Sequence, residues 1–159
     1  MGNASKHLAN PKAPDDPNRF VAVSYLTDAQ QYLAAARVLS ASQTANVSSP
    51  QYFLIAQSIE LFLKAFIIAA GGTQADLRKQ NVRHSLVNLA KNAIARGYQS
   101  KTEKTMAVIE LLDPHHAEHS FRYRKVGFKT YPTIREGLDA LARMDREISP
   151  VVSASLKKI

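Results

Sequence analysis

Apolar residues recur at helical spacing in five stretches of the chain, and no pair of stretches alternates as strands would. The first stretch begins at Asp16-Pro17, where a capping residue precedes a proline, and is expected to end near Ser42. Ser49-Pro50 repeats this start before a second stretch that ends at Gly71-Gly72. The second stretch is apolar almost all round, so we expect it to be the central helix of a bundle.

Three further stretches carry their own start and stop signals. The third is expected to end at Gly97, and the fourth to run from the capping box at residues 100–103 to about Pro114. A second capping box begins at Thr133 and opens the fifth stretch, which is expected to stop at Pro150. Together these elements predict an all-α, up-and-down antiparallel helical bundle of four to five helices.

One folded domain is expected, because two halves of a 159-residue chain would each bury too little apolar surface. Residues 1–18 hold three prolines and no apolar run, which predicts a flexible tail rather than a signal peptide. The bundle is expected over residues 19–150, with residues 151–159 as a C-terminal extension.

The composition excludes several kinds of functional site and favours another. The chain has no cysteine, which excludes disulfides, thiolate zinc sites and cysteine nucleophiles. The net charge is +8, and residues 78–129 hold eleven basic against four acidic side chains while the rest is nearly balanced. A basic excess confined to a third of the chain indicates a surface that meets phosphates, and a plain solvated face is the alternative.

Two charges interrupt the central apolar helix. Glu60 and Lys64 stand one turn apart, at the spacing where their side chains meet. Since a buried charge without a partner is costly, we expect them to pair, either as a structural ion pair or as the floor of a functional pocket. They also make a lipid-spanning helix costly, so a cytoplasmic protein without membrane contact is expected.

A family resemblance rests on a few short runs. QSIELFLKAF at residues 57–66, then Gly71 and HSL at residues 84–86, resembles the HEPN domains of prokaryotes, and FRYR at residues 121–124 is similar to their late Arg-Tyr stretch. The resemblance covers about residues 20–150. It implies an all-α, usually dimeric bundle that acts as a metal-independent RNA-cleaving enzyme in defence, abortive-infection or toxin–antitoxin systems. The alternative is a non-catalytic module that binds nucleotides or a nucleotidyltransferase-type antitoxin partner.

The catalytic signature of that family is an Arg followed within a few residues by a His, and Arg78 with His84 is the candidate here. The resemblance implies that the imidazole takes a proton from a ribose 2′-hydroxyl while the guanidinium holds charge on the phosphate. Neither a metal nor another cofactor is needed. The structural alternative is that His84 orients the chain beside Ser85 while Arg78 and Arg83 are solvated.

Histidines and aromatic residues fill the stretch before the last helix. Residues 115–119 contain the order His-x-x-Glu-His of one metalloprotease class, but they follow Pro114 and lack a third ligand, so an extended basic surface is expected instead. Rings then alternate with cations up to residue 131, which favours contact with single-stranded RNA, or else a loop whose rings cover the bundle. The residues expected to hold phosphates are Arg83, Arg122, Arg124, Lys125 and Lys129.

Overall fold

The computed structural model describes residues 17–42, 48–122 and 130–158, and all regular structure within these ranges is helical. The all-α prediction is therefore confirmed for the described residues, whereas the antiparallel order stays a prediction. The helices are α1 (Pro17–Ala41), α2 (Ser48–Ala69), α3 (Gln74–Arg78), α4 (Leu86–Ala95), α5 (Glu103–Ala117) and α6 (Ile134–Leu156).

The central position of α2 is confirmed. This helix packs against α1, α4, α5 and α6, and twelve of its side chains are buried. By length and composition α2 is one candidate for a membrane span among the described residues, but 67% of its most apolar window is buried inside the protein. Most of this window is thus covered by the rest of the protein.

Glycines end two of the helices as predicted. Gly71 and Gly97 adopt φ values of 92° and 100°, the left-handed region that side chains disfavour. In each case the glycine N–H and the next N–H bond back to carbonyls in the last turn of the helix, at 2.8–3.1 Å. This paired arrangement, the Schellman motif, satisfies carbonyls that would otherwise lack a partner.

Both predicted proline stops are wrong. α5 continues through Pro114 to Ala117, and α6 continues through Pro150 to Leu156, across the expected domain boundary. A proline leaves the carbonyl four residues earlier without its helical hydrogen bond. Those carbonyls belong to the exposed residues Glu110 and Arg146, so the lost hydrogen bonds lie on the solvent side of each helix.

The N-cap of α6 lies where the sequence predicts it, whereas that of α5 lies two residues later. Thr133 and Glu136 form the expected reciprocal capping box of α6. α5 is capped by Thr102 instead of Ser100, because the Thr102 hydroxyl accepts from the Lys104 N–H. The additional helix is α3, a single turn between α2 and α4 that its own capping box, Thr73 with Asp76, stabilises.

Candidate active site

A cleft of about 260 Å³ lies where α1, α2, the turn before α4 and the end of α5 meet. We call it the histidine cleft. It is lined by Tyr32, Phe53, Gln57, Glu60, His84, His116, His119, Phe121 and Arg122.

Glu60 is the fixed charge of the histidine cleft. Its carboxylate is 3% exposed and accepts hydrogen bonds from the Lys64 ammonium, at 2.5 Å, and from Nε2 of His116. Burial alone would raise the pKa of Glu60, but the His116 hydrogen bond and the Lys64 charge outweigh it and lower the pKa to about 2. The predicted ion pair is confirmed, and the carboxylate stays ionised at neutral pH.

Each interpretation of the Glu60–Lys64 pair, structural ion pair or pocket floor, applies to one of its two residues. Glu60 lines the histidine cleft, whereas Lys64, one turn further along α2, is absent from the lining. The pair is thus structural on the Lys64 side and faces the cleft on the Glu60 side.

His84 enters the histidine cleft from the turn before α4. Ser85 caps that helix, and Asp113 of α5 accepts from both the Ser85 hydroxyl and the Val87 N–H, each at 3.1 Å. The Asn88 amide closes the turn by donating to the Asn81 carbonyl at 2.6 Å. These bonds tie the backbone that carries His84 to α5, so Ser85 and Asp113 orient this turn.

The His84 ring is accessible and suited to accept a proton. Its side chain is 42% exposed, and Nδ1 lies 3.8 Å from a Glu60 oxygen, beyond hydrogen-bond range. Burial lowers the pKa of His84; the Glu60 charge raises it, and the Lys64 and Arg83 charges lower it further. Because the net effect lowers the pKa of His84 from its ordinary value, the neutral ring, with a lone pair that can accept a proton, is favoured at pH 7.

His119 occupies a backbone position where the other two Schellman motifs have glycine. Its φ is 57°, and the His119 and Ser120 N–H groups bond to the His116 and His115 carbonyls at 3.1 and 2.8 Å. A side chain in this left-handed region costs about 1–2 kcal/mol, which glycine would avoid. Strain of this kind concentrates at functional sites.

The His119 side chain joins His84 to Arg122. Its ring meets the His84 ring edge-on, with 5.5 Å between centroids. Nδ1 of His119 accepts a hydrogen bond from the Arg122 guanidinium at 2.5 Å. Because Nδ1 is an acceptor, the neutral ring carries its proton on Nε2 and offers that N–H as a donor.

Replacing His119 by glycine is expected to stabilise the fold while it removes a cleft side chain. His119→Ala loses the same ring but keeps the side-chain strain, so it serves as the matched control. We expect the free energy of unfolding of His119→Gly to be about 1 kcal/mol higher than that of His119→Ala. Urea denaturation of both variants measures the difference, and equal stabilities would show that the backbone at His119 stores no strain.

An aromatic cluster closes the wall of the cleft beside α5. Tyr52 stacks on Phe121 and Tyr131, and His115 packs against both of those rings. The Tyr52 hydroxyl donates to the Pro132 carbonyl at 2.5 Å. Phe121 and Tyr131, at the two ends of the aromatic segment, thus pack together on Tyr52 of α2, whereas residues 123–129 of that segment lie outside the described residues.

The predicted site residues separate into three groups. His84, Glu60 and Arg122 line the histidine cleft. Three others, Lys64, Arg78 and Arg83, are absent from its lining. Both arginines are exposed, so the pairing of Arg78 with His84 stays a prediction. The remaining predicted phosphate contacts, Arg124, Lys125 and Lys129, lie outside the described residues.

Sequence reasoning did not assign His116 or His119 to this site, nor Tyr32, Phe53 and Gln57. His116 lies in the last turn of α5, beyond the expected helix end at Pro114, whereas His119 follows the helix in a left-handed conformation. Within the described ranges, no group of three or more His, Asp or Glu side chains is arranged to hold a metal ion.

Comparison with known proteins assigns no relative to this chain. A scan against protein-family models, a search of curated proteins and a search of solved structures each found no match.

Proposed function

We propose that this chain is a HEPN-like RNA-binding protein that cleaves single-stranded RNA without a metal, with His84 as the general base. The observation that carries the proposal is the histidine cleft, whose lining includes His84, His119 and Arg122 together with the ionised Glu60. The resemblance of residues 57–66 and 84–86 to HEPN domains extends the proposal to a homodimer in a defence or toxin–antitoxin system.

RNA is the substrate class that best suits these groups. Its backbone carries an internal nucleophile, the ribose 2′-hydroxyl, beside each phosphate, so a base and a positive charge can replace a metal-bound hydroxide. The basic excess of residues 78–129 supplies attraction for a phosphate chain. Phe53 and Tyr32 in the cleft wall offer faces on which unpaired bases stack.

The proposed reaction is an internal transfer of the phosphoryl group. Neutral His84 takes the 2′-hydroxyl proton, the 2′-oxygen forms a bond to phosphorus, and the bond from phosphorus to the 5′-oxygen breaks. The leaving 5′-oxygen takes a proton from solvent, and His84 returns its proton to solvent. Arg122 and the Nε2–H of His119 stabilise the charge that grows on the phosphate oxygens.

The proposal is tested with single-stranded RNA in the presence of a chelator. We expect cleavage to 2′,3′-cyclic phosphate and 5′-hydroxyl ends, and no cleavage of the matching DNA, which lacks the nucleophile. Binding should weaken with salt, with log affinity falling by about 0.7 per log unit of salt for each phosphate neutralised.

Two results separate the alternatives. Salt-dependent binding without cleavage would favour the non-catalytic nucleotide-binding module. An RNA affinity that does not change with salt, together with uncleaved RNA, would refute both the ribonuclease and the nucleotide-binding module.

A further inference from the structure

One face of α2 gives the histidine cleft two chemically different ends. Phe53, Gln57 and Glu60 follow one another at spacings of four and three residues, and all three line the cleft. At 1.5 Å per residue, Phe53 lies about 10 Å from Glu60 along the helix axis. The Phe53 end is aromatic, since Tyr32 of α1 also borders a surface groove with Leu54, the neighbour of Phe53. The Glu60 end holds His84 and His116.

Gln57 lies between these two ends. It is half-buried and lines the cleft, and its side-chain amide has no hydrogen-bond partner among the described residues. Among the described residues its amide nitrogen and oxygen are not buried from solvent, so both the donor and the acceptor are open to a molecule in the cleft. A polar ligand that enters the cleft would satisfy the amide.

We infer that Tyr32, Phe53 and Gln57 form a nucleobase subsite for an unpaired nucleotide, an inference that rests on the proposed function. The base stacks on the Phe53 ring, and its edge exchanges hydrogen bonds with the Gln57 amide, which has both a donor and an acceptor. A base in a duplex has already used its pairing edge and both faces, so the subsite selects single strands. The phosphate of the same nucleotide then lies toward His84 and Arg122.

The subsite is tested by binding, without any cleavage. We would titrate the full chain with the four nucleoside 3′-monophosphates and with ribose 5-phosphate, using calorimetry. The best nucleotide is expected to bind roughly tenfold or more tightly than the sugar phosphate, because one stacked base contributes that much. Phe53→Leu keeps the apolar bulk without the ring and should remove this advantage.

Matched controls come from outside the cleft. Phe20→Leu changes a ring on α1 that is 64% exposed, and Gln51→Met changes an amide on α2 that is absent from the cleft lining. Both should bind nucleotides as the wild type does, whereas Gln57→Met should weaken them severalfold. Helix content by circular dichroism confirms that each variant is folded.

The outcomes distinguish the subsite from the proposed function. Equal affinity for nucleotides and ribose 5-phosphate, or unchanged binding by folded Phe53→Leu, would overturn the subsite. An RNA cleavage rate that stays the same when an abasic nucleotide lies on either side of the scissile phosphate would also overturn the subsite. That result would leave the proposed ribonuclease activity standing. Base-dependent binding without cleavage supports the subsite and rejects the enzyme.

Discussion

Glu60→Gln is expected to lower the free energy of unfolding by about 3–5 kcal/mol, the cost of leaving a buried charge without its partner. The substitution keeps the shape of the side chain but removes the negative charge that Lys64 and His116 share. Chemical denaturation at pH 7 measures the loss. Glu110→Gln, on the exposed face of α5, is the matched control and should change the stability by less than about 0.5 kcal/mol.

The pH dependence gives a second readout of the same carboxylate. The pKa of Glu60 is about 2 in the folded protein, below its ordinary 4.5. The ionised carboxylate therefore adds its full contribution to the free energy of unfolding above pH 4.5 and loses it as the pH falls toward 2. Glu60→Gln has no such contribution to lose. The stability gap between the two proteins should therefore narrow by roughly 3 kcal/mol between pH 5 and pH 2. A constant gap would show that the carboxylate is not held ionised.

His84→Ala is expected to reduce the single-turnover rate of RNA cleavage by about 10²–10⁴-fold, the usual contribution of a general base. Because the side chain is 42% exposed and makes no short hydrogen bond to Glu60, the unfolding free energy should change little. The rate of the wild type should rise with pH and level off at an inflection below the ordinary pKa of histidine, since burial favours the neutral ring. Cleavage that survives the substitution would remove His84 from the mechanism.

Two arginine variants decide which guanidinium assists His84. Arg122 donates to His119 inside the histidine cleft, whereas Arg78 is exposed at the end of α3. We expect Arg122→Ala to slow cleavage by at least about tenfold and Arg78→Ala to leave it within about twofold. The reverse result would restore the pairing that the sequence resemblance implies.

Local rules predicted most helix starts and the two glycine ends, because capping hydrogen bonds involve residues within one turn of one another. Thr133, Gly71 and Gly97 behave as their sequence neighbours indicate. The proline stops failed for a reason that is not local. Whether a helix passes Pro114 depends on which of its faces meets water, and that follows from the packing of the whole bundle.

The site was predictable only where its residues interact within one helix. Glu60 and Lys64 are one turn apart, so their pairing followed from spacing alone. His116 lies 56 residues from Glu60 in sequence, and its bond to that carboxylate arises because α5 packs on α2. His119 was hidden for another reason, since a left-handed histidine carries no sequence signal of the kind that glycine gives.

The last turn of α5 also determines how the histidine cleft unfolds locally. Asp113 holds the start of α4, and His116, one turn later, is bonded to Glu60 of α2. Fraying of this turn removes the hydrogen bonds that place His84 and those that place His119 in the same event. Local unfolding of this turn is therefore expected to displace His84 and His119 together.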